Sequence, residues 1–345
     1  MFNIINTKNI LFDKIKIKSA KGFVNFNELI QNVYKPNGYD FDQFVNDVIP
    51  KLRLNKEQTC YKIYDNILFE TKTNTTPSNS KRILLIRVLQ DNFTLDSYST
   101  LNRCCFNDSF NNEQLNINKV NENSKKWTQK FIDGWINDIR NGGKYLQTFI
   151  NHYNDSVSLY YATKYYNITG KKGAVIGYIS PWIESILLAN GASKIVKIDY
   201  QHIEIGHKNI IFLNAFDLIK AREVYFDTFD FIASFSSIEH SGLGRYGDPI
   251  DPMGDIREMQ KLGCILKPGG LFFLGIPVGQ DDVGYNCHRT YGRIRLPLIF
   301  AGFEILDVFY MKNKPIDLKI EAFENNDEAS HFNVTQFVFV LEKED

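Results

Sequence analysis

The second half of the chain repeats one pattern: short apolar runs separated by stretches long enough for helices. The runs are 174–177 (AVIG), 195–199 (IVKID), 209–213 (NIIFL), 229–235 (FDFIASF) and 271–276 (LFFLGI). A strand covered on both faces loses the inside–outside alternation of a half-exposed one, so this rhythm predicts βαβ units and a buried parallel sheet. Pro181 and Gly191 bracket a helix over 181–190, with proline in its first turn and glycine just past its end. The segment 267–270 (KPGG) predicts a sharp reversal before the fifth run, because proline fixes φ and glycine supplies a positive one. Two more strand candidates, 303–310 and 336–341, are spaced to form an antiparallel pair. The expected fold is α/β, a Rossmann-like doubly wound, mostly parallel seven-stranded sheet.

The first half is less regular. Polar stretches at 71–81 and 107–126 read as loops. The spacing of Phe41, Phe44, Val45 and Val48 predicts a helix over 39–54. A second helix is predicted over 127–141, with Trp127, Phe131, Trp135 and Ile139 as its apolar stripe. A third follows Asp155-Ser156, an N-cap, and its Val157, Tyr160, Tyr161 and Tyr165 read as core. The expected organisation is an N-terminal region of unclear fold over 1–126, a helical lead-in over 127–170 and the Rossmann-like domain over 171–345. The N-terminal extension is expected to be largely helical.

Composition narrows the function. Lys plus Arg equal Asp plus Glu, 40 against 40, so the chain lacks the basic footprint of duplex-binding proteins. No apolar run approaches the length of a membrane span, and the first twenty residues lack the apolar core of a signal peptide. The five cysteines form no CxxC pair and read as reduced thiols of a cytoplasmic protein. No metal site is expected, and neither nucleic acid nor membrane as partner. The oligomeric state is left open.

In doubly wound sheets ligands bind beyond the carboxyl ends of the strands. Four places meet that rule. Gly177 and Tyr178 follow the first strand, where a glycine lets a ligand approach and a helix N-terminus follows. Asp199 ends the second strand at the spacing of a ribose-binding acid. The run 235–248 (FSSIEHSGLGRYGD) follows the fourth strand. It holds Glu239 and His240, either of which could remove a proton, unless they only cap a turn. The fourth place runs from Pro277 to His288, Arg289, Tyr291, Arg293 and Arg295. Its three arginines read either as an anion site or as surface cations.

These residues carry a resemblance. The segments 177–184 (GYISPWIE), 235–248, 251–255 (DPMGD) and 288–292 (HRTYG), with Arg295-Leu296-Pro297, resemble the family called domain of unknown function 268, over roughly 127–310. That family in turn resembles class I S-adenosylmethionine-dependent methyltransferases. Of the three alternating glycines usual in their first loop only Gly177 is matched. Ile179 and Pro181 stand at the other two places, and Val175 replaces the usual acid.

The resemblance implies S-adenosylmethionine held by Gly177, Tyr178, Asp199, Asn214, Asp217 and Ser236. It implies a small-molecule or glycan-like hydroxyl substrate placed by Arg245, Tyr246, Asp248, His288, Arg289 and Tyr291, with Glu239 or His240 taking its proton. The glycine-poor loop supports two rivals: a methyltransferase-shaped binding or scaffold protein, and an enzyme that binds a nucleotide sugar on the same fold.

Overall fold

The computed structural model describes residues 12, 14–55, 59–65, 88–103, 126–142, 154–177, 180–246, 248, 250–285, 287–324 and 335–344. Its centre is a seven-stranded sheet built from β7 (Lys172–Ile176), β8 (Lys194–Asp199), β10 (Ile210–Asn214), β11 (Phe229–Phe235), β12 (Leu266–Pro277), β15 (Phe303–Phe309) and β16 (Gln336–Lys343). The spatial order is β10-β8-β7-β11-β12-β16-β15. Neighbours from β10 to β12 pair in parallel, and β16 runs antiparallel to both β12 and β15. Numbered within the sheet, the order is 3-2-1-4-5-7-6, a doubly wound arrangement as the apolar rhythm predicts. The order reverses between β7 and β11, and the ligand crevice of such a sheet lies there. Residues 267–270 bulge out of β12, where Phe229 faces Leu266 but Phe231 faces Leu271.

Four helices of eight residues or more lie among the described residues: α1 (Gln129–Arg140), α2 (Val157–Tyr165), α3 (Trp182–Ala189) and α4 (Gly254–Ile265). The first three cover one face of the sheet, where Ile132, Ile136, Leu159, Ile183 and Ile186 pack on Val175, Ile195 and Phe231. The opposite face buries Ile256, Met259 and Leu262 of α4 together with Phe26, Tyr34, Leu52 and Tyr64 from the N-terminal region. Helix α1 starts at Thr128, whose hydroxyl accepts from the Phe131 N–H and satisfies an orphan donor.

Three expectations need correction. Residues 39–54 form a hairpin, β3 (Tyr39–Val45) against β4 (Ile49–Leu54), in place of a helix. Asn46 and Asp47 take φ of 50° and 57°, and such left-handed residues reverse the chain between strands. A bulge at Phe41/Gln43 shifts the apolar alternation into a spacing that mimics a helix. The described N-terminal residues also form β1 (Lys16–Ser19), β2 (Gly22–Asn25) and β5 (Thr100–Arg103), so the described part of the extension is mixed rather than largely helical. The buried face of α1 is Ile132, Ile136 and Ile139, whereas Phe131 is exposed. On α2 the buried residues are Val157, Ser158, Leu159, Ala162 and Thr163, with Tyr165 exposed.

The thiol expectation fails as well. Cys60 and Cys264 are joined by a disulfide across 204 residues, with Cα atoms 5.6 Å apart, a normal separation for such a bond. It ties the N-terminal region to the last turn of α4. Only the fold brings these two cysteines together, so their sequence spacing shows nothing. Strand β5 has a different role. It pairs in parallel with β13 (Asp282–Tyr285), which pairs with β14 (His288–Thr290), and so widens the structure beyond the carboxyl end of β12. No helix among the described residues is long and apolar enough to cross a membrane.

Candidate functional site at the carboxyl edge of the sheet

Gly177 leaves β7 with φ of 75°. A Cβ built there would lie 2.0 Å from the Ser237 Oγ, so the loops after the first and fourth strands of the sheet touch at a place where only glycine fits. Tyr178 and Ile179 lie outside the described residues.

Below Gly177 is a buried charge cluster. Lys197 sits two residues before Asp199 on β8, hence on the same face of the strand. Its side chain is fully buried, and Nζ donates to the Gly177 carbonyl. The same Nζ lies 3.3 Å from Asp199 Oδ2 and 4.0 Å from Glu184 Oε1 of α3. Asp199 is partly open to solvent, while Glu184 is buried and neither of its oxygens has a hydrogen-bond partner among the described residues. Burial pushes the Glu184 carboxyl up to about 7, against the attraction of Lys197. Neither Lys197 nor Glu184 was anticipated as a site residue, although a lysine inside an otherwise apolar strand, IVKID, is a visible anomaly because lysine is almost never fully buried unless paired.

Beside Asp199, Tyr200 and Phe216 form an edge-to-face pair at 5.3 Å, 41% and 45% exposed. Asn214 links the two loops that carry these rings. Its Oδ1 accepts from the Phe216 N–H, and its Nδ2 donates to the Tyr200 carbonyl. Asp217 stands at the surface, 3.2 Å from Lys220.

The turn after β11 holds the proton-moving groups. Ser236 takes φ of 50°, a left-handed conformation that a non-glycine residue adopts at a cost and that recurs at functional sites. The next residues form a 3-10 turn, Ile238–His240. Glu239 is buried, and its Oε2 has no partner among the described residues. Burial pushes the Glu239 carboxyl up to about 7. Its own backbone N–H, the Ser236 hydroxyl, the Ser237 N–H and the charge of Arg245 oppose that rise.

His240 Nδ1 is bonded to the Cys287 carbonyl. A carbonyl only accepts, so Nδ1 carries the proton and Nε2 presents a lone pair, 3.8 Å from Glu239 Oε1. Burial, then Arg245, lowers the His240 pKa to about 3, against the bond to Cys287, which keeps the ring neutral at physiological pH. Around it, Tyr246 packs at 5.3 Å and His288 at 6.3 Å, and the Arg245 guanidinium lies 5.2 Å from the Tyr246 ring. Arg245 also donates to the Cys287 carbonyl at 3.1 Å. Glu239, His240, Arg245, Tyr246 and His288 are therefore gathered in one place.

The other expected substrate contacts serve the fold. Arg289 is fully buried and donates to the carbonyls of Ser241 and Pro252. Arg295 forms a two-pronged pair with Asp255, at 2.8 Å and 2.7 Å, and the Tyr291 hydroxyl donates to the same carboxylate at 3.1 Å. The charges of Arg289 and Arg295 overcome burial and hold Asp255 down at about 2. Arg293 is buried too, and its Nε donates to the Val48 carbonyl. The three-arginine anion site is thus corrected to a buried scaffold. Asp248 accepts from the N–H groups of Gly242, Gly244 and Tyr246, so it shapes the loop that presents Arg245 and Tyr246.

Among the described residues no group of three or more His, Cys, Asp or Glu is placed to hold a metal ion. An open cavity of about 480 Å³ is lined by Asn46, Val48 and Asp317 to Glu321, away from Glu239, His240, Arg245 and Asp199.

The chain belongs to the family described as Caenorhabditis protein of unknown function, DUF268, whose model matches residues 170–344. No curated protein matches it. Among solved structures, the 1,6-didemethyltoxoflavin-N1-methyltransferase of Burkholderia thailandensis is 12% identical. It covers 58% of this chain and 88% of its own, with a TM-score of 0.37. A chain of the complex between the Haloferax volcanii Trm112 methyltransferase activator and a candidate methyltransferase is 13% identical, covers 62% and 98%, and gives a TM-score of 0.37. The [4+2]-cyclase SpnF is 13% identical, covers 53% and 79%, and gives 0.36. The class I methyltransferase-like α/β fold rests on the strand order rather than on these similarities.

Proposed function

We propose that the protein is an S-adenosylmethionine-dependent methyltransferase acting on a small-molecule or glycan-like acceptor. One observation carries the reading: buried Glu239, with a carboxylate oxygen that has no partner among the described residues, stands beside the partly buried His240 in the turn after β11, at the same carboxyl edge of the sheet as the partly open Asp199. The residues present fit an adenosyl ligand. Tyr200 and Phe216 leave exposed ring area for a flat apolar group, and the partly exposed Asp199 carboxylate keeps lone pairs for ribose hydroxyls beyond those used by the Gln201 N–H and Lys197. Gly177 and Asn214 shape the loops around them. When bound, S-adenosylmethionine supplies an electrophilic methyl group.

Glu239 is the general base, since a carboxyl poised near neutrality is the more effective proton acceptor at physiological pH. His240, held neutral with Nε2 toward Glu239, positions the acceptor. Arg245, Tyr246 and His288 orient the substrate, which supplies rate by placing the acceptor atom. The Cys60–Cys264 bond favours an oxidising compartment over the cytosol.

A second reading has its own support. Lys197 already occupies the Gly177 carbonyl, as expected of a methyltransferase-shaped binding protein that no longer takes the cofactor. Calorimetric titration with S-adenosylmethionine separates the two. The methyltransferase reading expects saturable binding that weakens at least about tenfold in Asp199→Ala, the loss of one charge-assisted hydrogen bond. No heat at millimolar ligand leaves the binding-protein reading.

A further inference from the structure

Strand β16 enters the sheet beside the candidate site, because Gln336 pairs with Pro277 at the carboxyl end of β12. Its backbone N–H donates to Asp155 Oδ2 at 2.6 Å, which fixes where the strand begins. Its side chain is buried, and Nε2 lies 3.2 Å from Ser236 Oγ while Oε1 has no partner among the described residues. The two ends of an amide are told apart only by their partners, and here the chemistry decides. Ser236 has a single hydroxyl proton, and the serine is among the groups that oppose the rise of the Glu239 carboxyl, which assigns that proton to the carboxyl side. Ser236 Oγ must then accept from Gln336, so Nε2 faces the serine and Oε1 faces away.

The result is two buried acceptors, Glu239 Oε2 and Gln336 Oε1, flanking one serine and both without a partner among the described residues. Leaving buried acceptors unpaired is expensive, and two of them side by side call for a donor to meet them. A ligand that satisfies both must bring two donors to one small region. A hydroxyl has one proton to give; an amino group has at least two. Arg245 donates to the Cys287 carbonyl, and its charge reaches Glu239 and favours the ionised carboxylate, the form that accepts from an amino group.

We propose that Glu239 Oε2 and Gln336 Oε1 form an acceptor pair that recognises an amino group on the substrate, with Gln336 as the residue that selects amine over hydroxyl. The inference rests on the reading of this edge as a substrate site and sharpens the acceptor class from the hydroxyl expected on sequence grounds to an amine. Amino sugars and other small amines fall within it.

The test uses two probes of one shape, cyclohexylamine and cyclohexanol, titrated into the full chain and followed by ligand-observed NMR at pH 7.5. The expected result is amine binding about tenfold tighter than alcohol binding, the equivalent of one charge-assisted hydrogen bond, with the preference abolished in Gln336→Leu and in Glu239→Gln. Equal binding of the two probes, binding of neither, or a preference unchanged in Gln336→Leu overturns the proposal. Thermal unfolding of both variants verifies that they are folded, and Gln336→Met serves as a second variant if leucine is not accommodated. The cofactor titration is read separately. Failure to bind S-adenosylmethionine with amine preference intact removes the methyltransferase reading alone, whereas lost preference with cofactor bound removes this inference alone.

Discussion

Two buried charge clusters lie within a few residues of each other, and they treat their carboxyl groups in opposite ways. In the scaffold cluster the carboxylate is fully answered, and the atoms left without a hydrogen-bond partner among the described residues are two guanidinium nitrogens, Arg289 Nε and Arg295 Nη1. Asp255 takes both prongs of Arg295 and the Tyr291 hydroxyl, and Arg289 satisfies a row of backbone carbonyls. In the edge cluster the charges are left short. Glu239, Gln336 and Glu184 each keep at least one buried oxygen without a partner among the described residues. The carboxyls respond accordingly, with Asp255 held down at about 2 and Glu239 pushed up to about 7. Burial is equal in the two clusters, so burial does not separate a structural charge from a functional one. The partners do.

The comparison breaks most easily at Asp255. Replacing it with alanine strands two buried guanidinium groups, and removing one member of such a set costs about 3–5 kcal/mol. Chemical denaturation should show that loss, and an effect below about 1 kcal/mol would mean the cluster is open to water. Because its folded pKa is lowered, the stability Asp255 contributes is present above its ordinary range near 4 and is lost as pH falls toward about 2.

Glu239 should behave in the opposite sense. Its folded pKa is raised, so between about 4.5 and 7 the folded state holds a proton that the unfolded state releases. Stability therefore declines as pH rises through that window and levels off above it. A displacement from 4.5 to about 7 corresponds to about 3 kcal/mol. Glu239→Gln, which removes the charge and keeps the shape, should be more stable than the parent by up to that amount at pH 8 and nearly equal at pH 5. Equal destabilisation at both values would place Glu239 with the scaffold.

A smaller effect is expected at Gly177. Alanine there meets Ser237 Oγ and a φ of 75°, a combined strain and overpacking cost of about 1–3 kcal/mol. Calorimetry should show the adenosyl affinity falling by more than stability does, since the loop that approaches the ligand is the part displaced.

The legibility of these regions followed the range of the interactions behind them. The parallel strands were readable because burial on both faces writes a continuous apolar run, and Phe229–Phe235 shows it without interruption. The hairpin at 39–54 was not, because a bulge turned period two into something near period 3.6. At the site, Glu239, His240, Arg245 and Tyr246 were found from one local run. Arg289 and Tyr291 looked equally chemical, but their partner Asp255 stands more than thirty residues away and only the fold shows that it neutralises them. Gln336 lies 100 residues from Ser236 and had no local signal. Lys197 has one, a charge inside an apolar strand, two residues before the acid that marks the strand's end. The disulfide belongs with Gln336, as a long-range pairing that no spacing reveals.

Carboxyl-detected NMR of the chain labelled with carbon-13 in its glutamate and aspartate side chains, titrated from pH 3 to 9, reads both clusters in one sample. Assignment by Glu239→Gln and Asp255→Asn identifies the two resonances. The account predicts a Glu239 midpoint near 7 and an Asp255 carboxylate that stays ionised throughout the titration. A Glu239 midpoint in the ordinary carboxylate range near 4 would contradict it, because the edge cluster would then be as well satisfied as the scaffold.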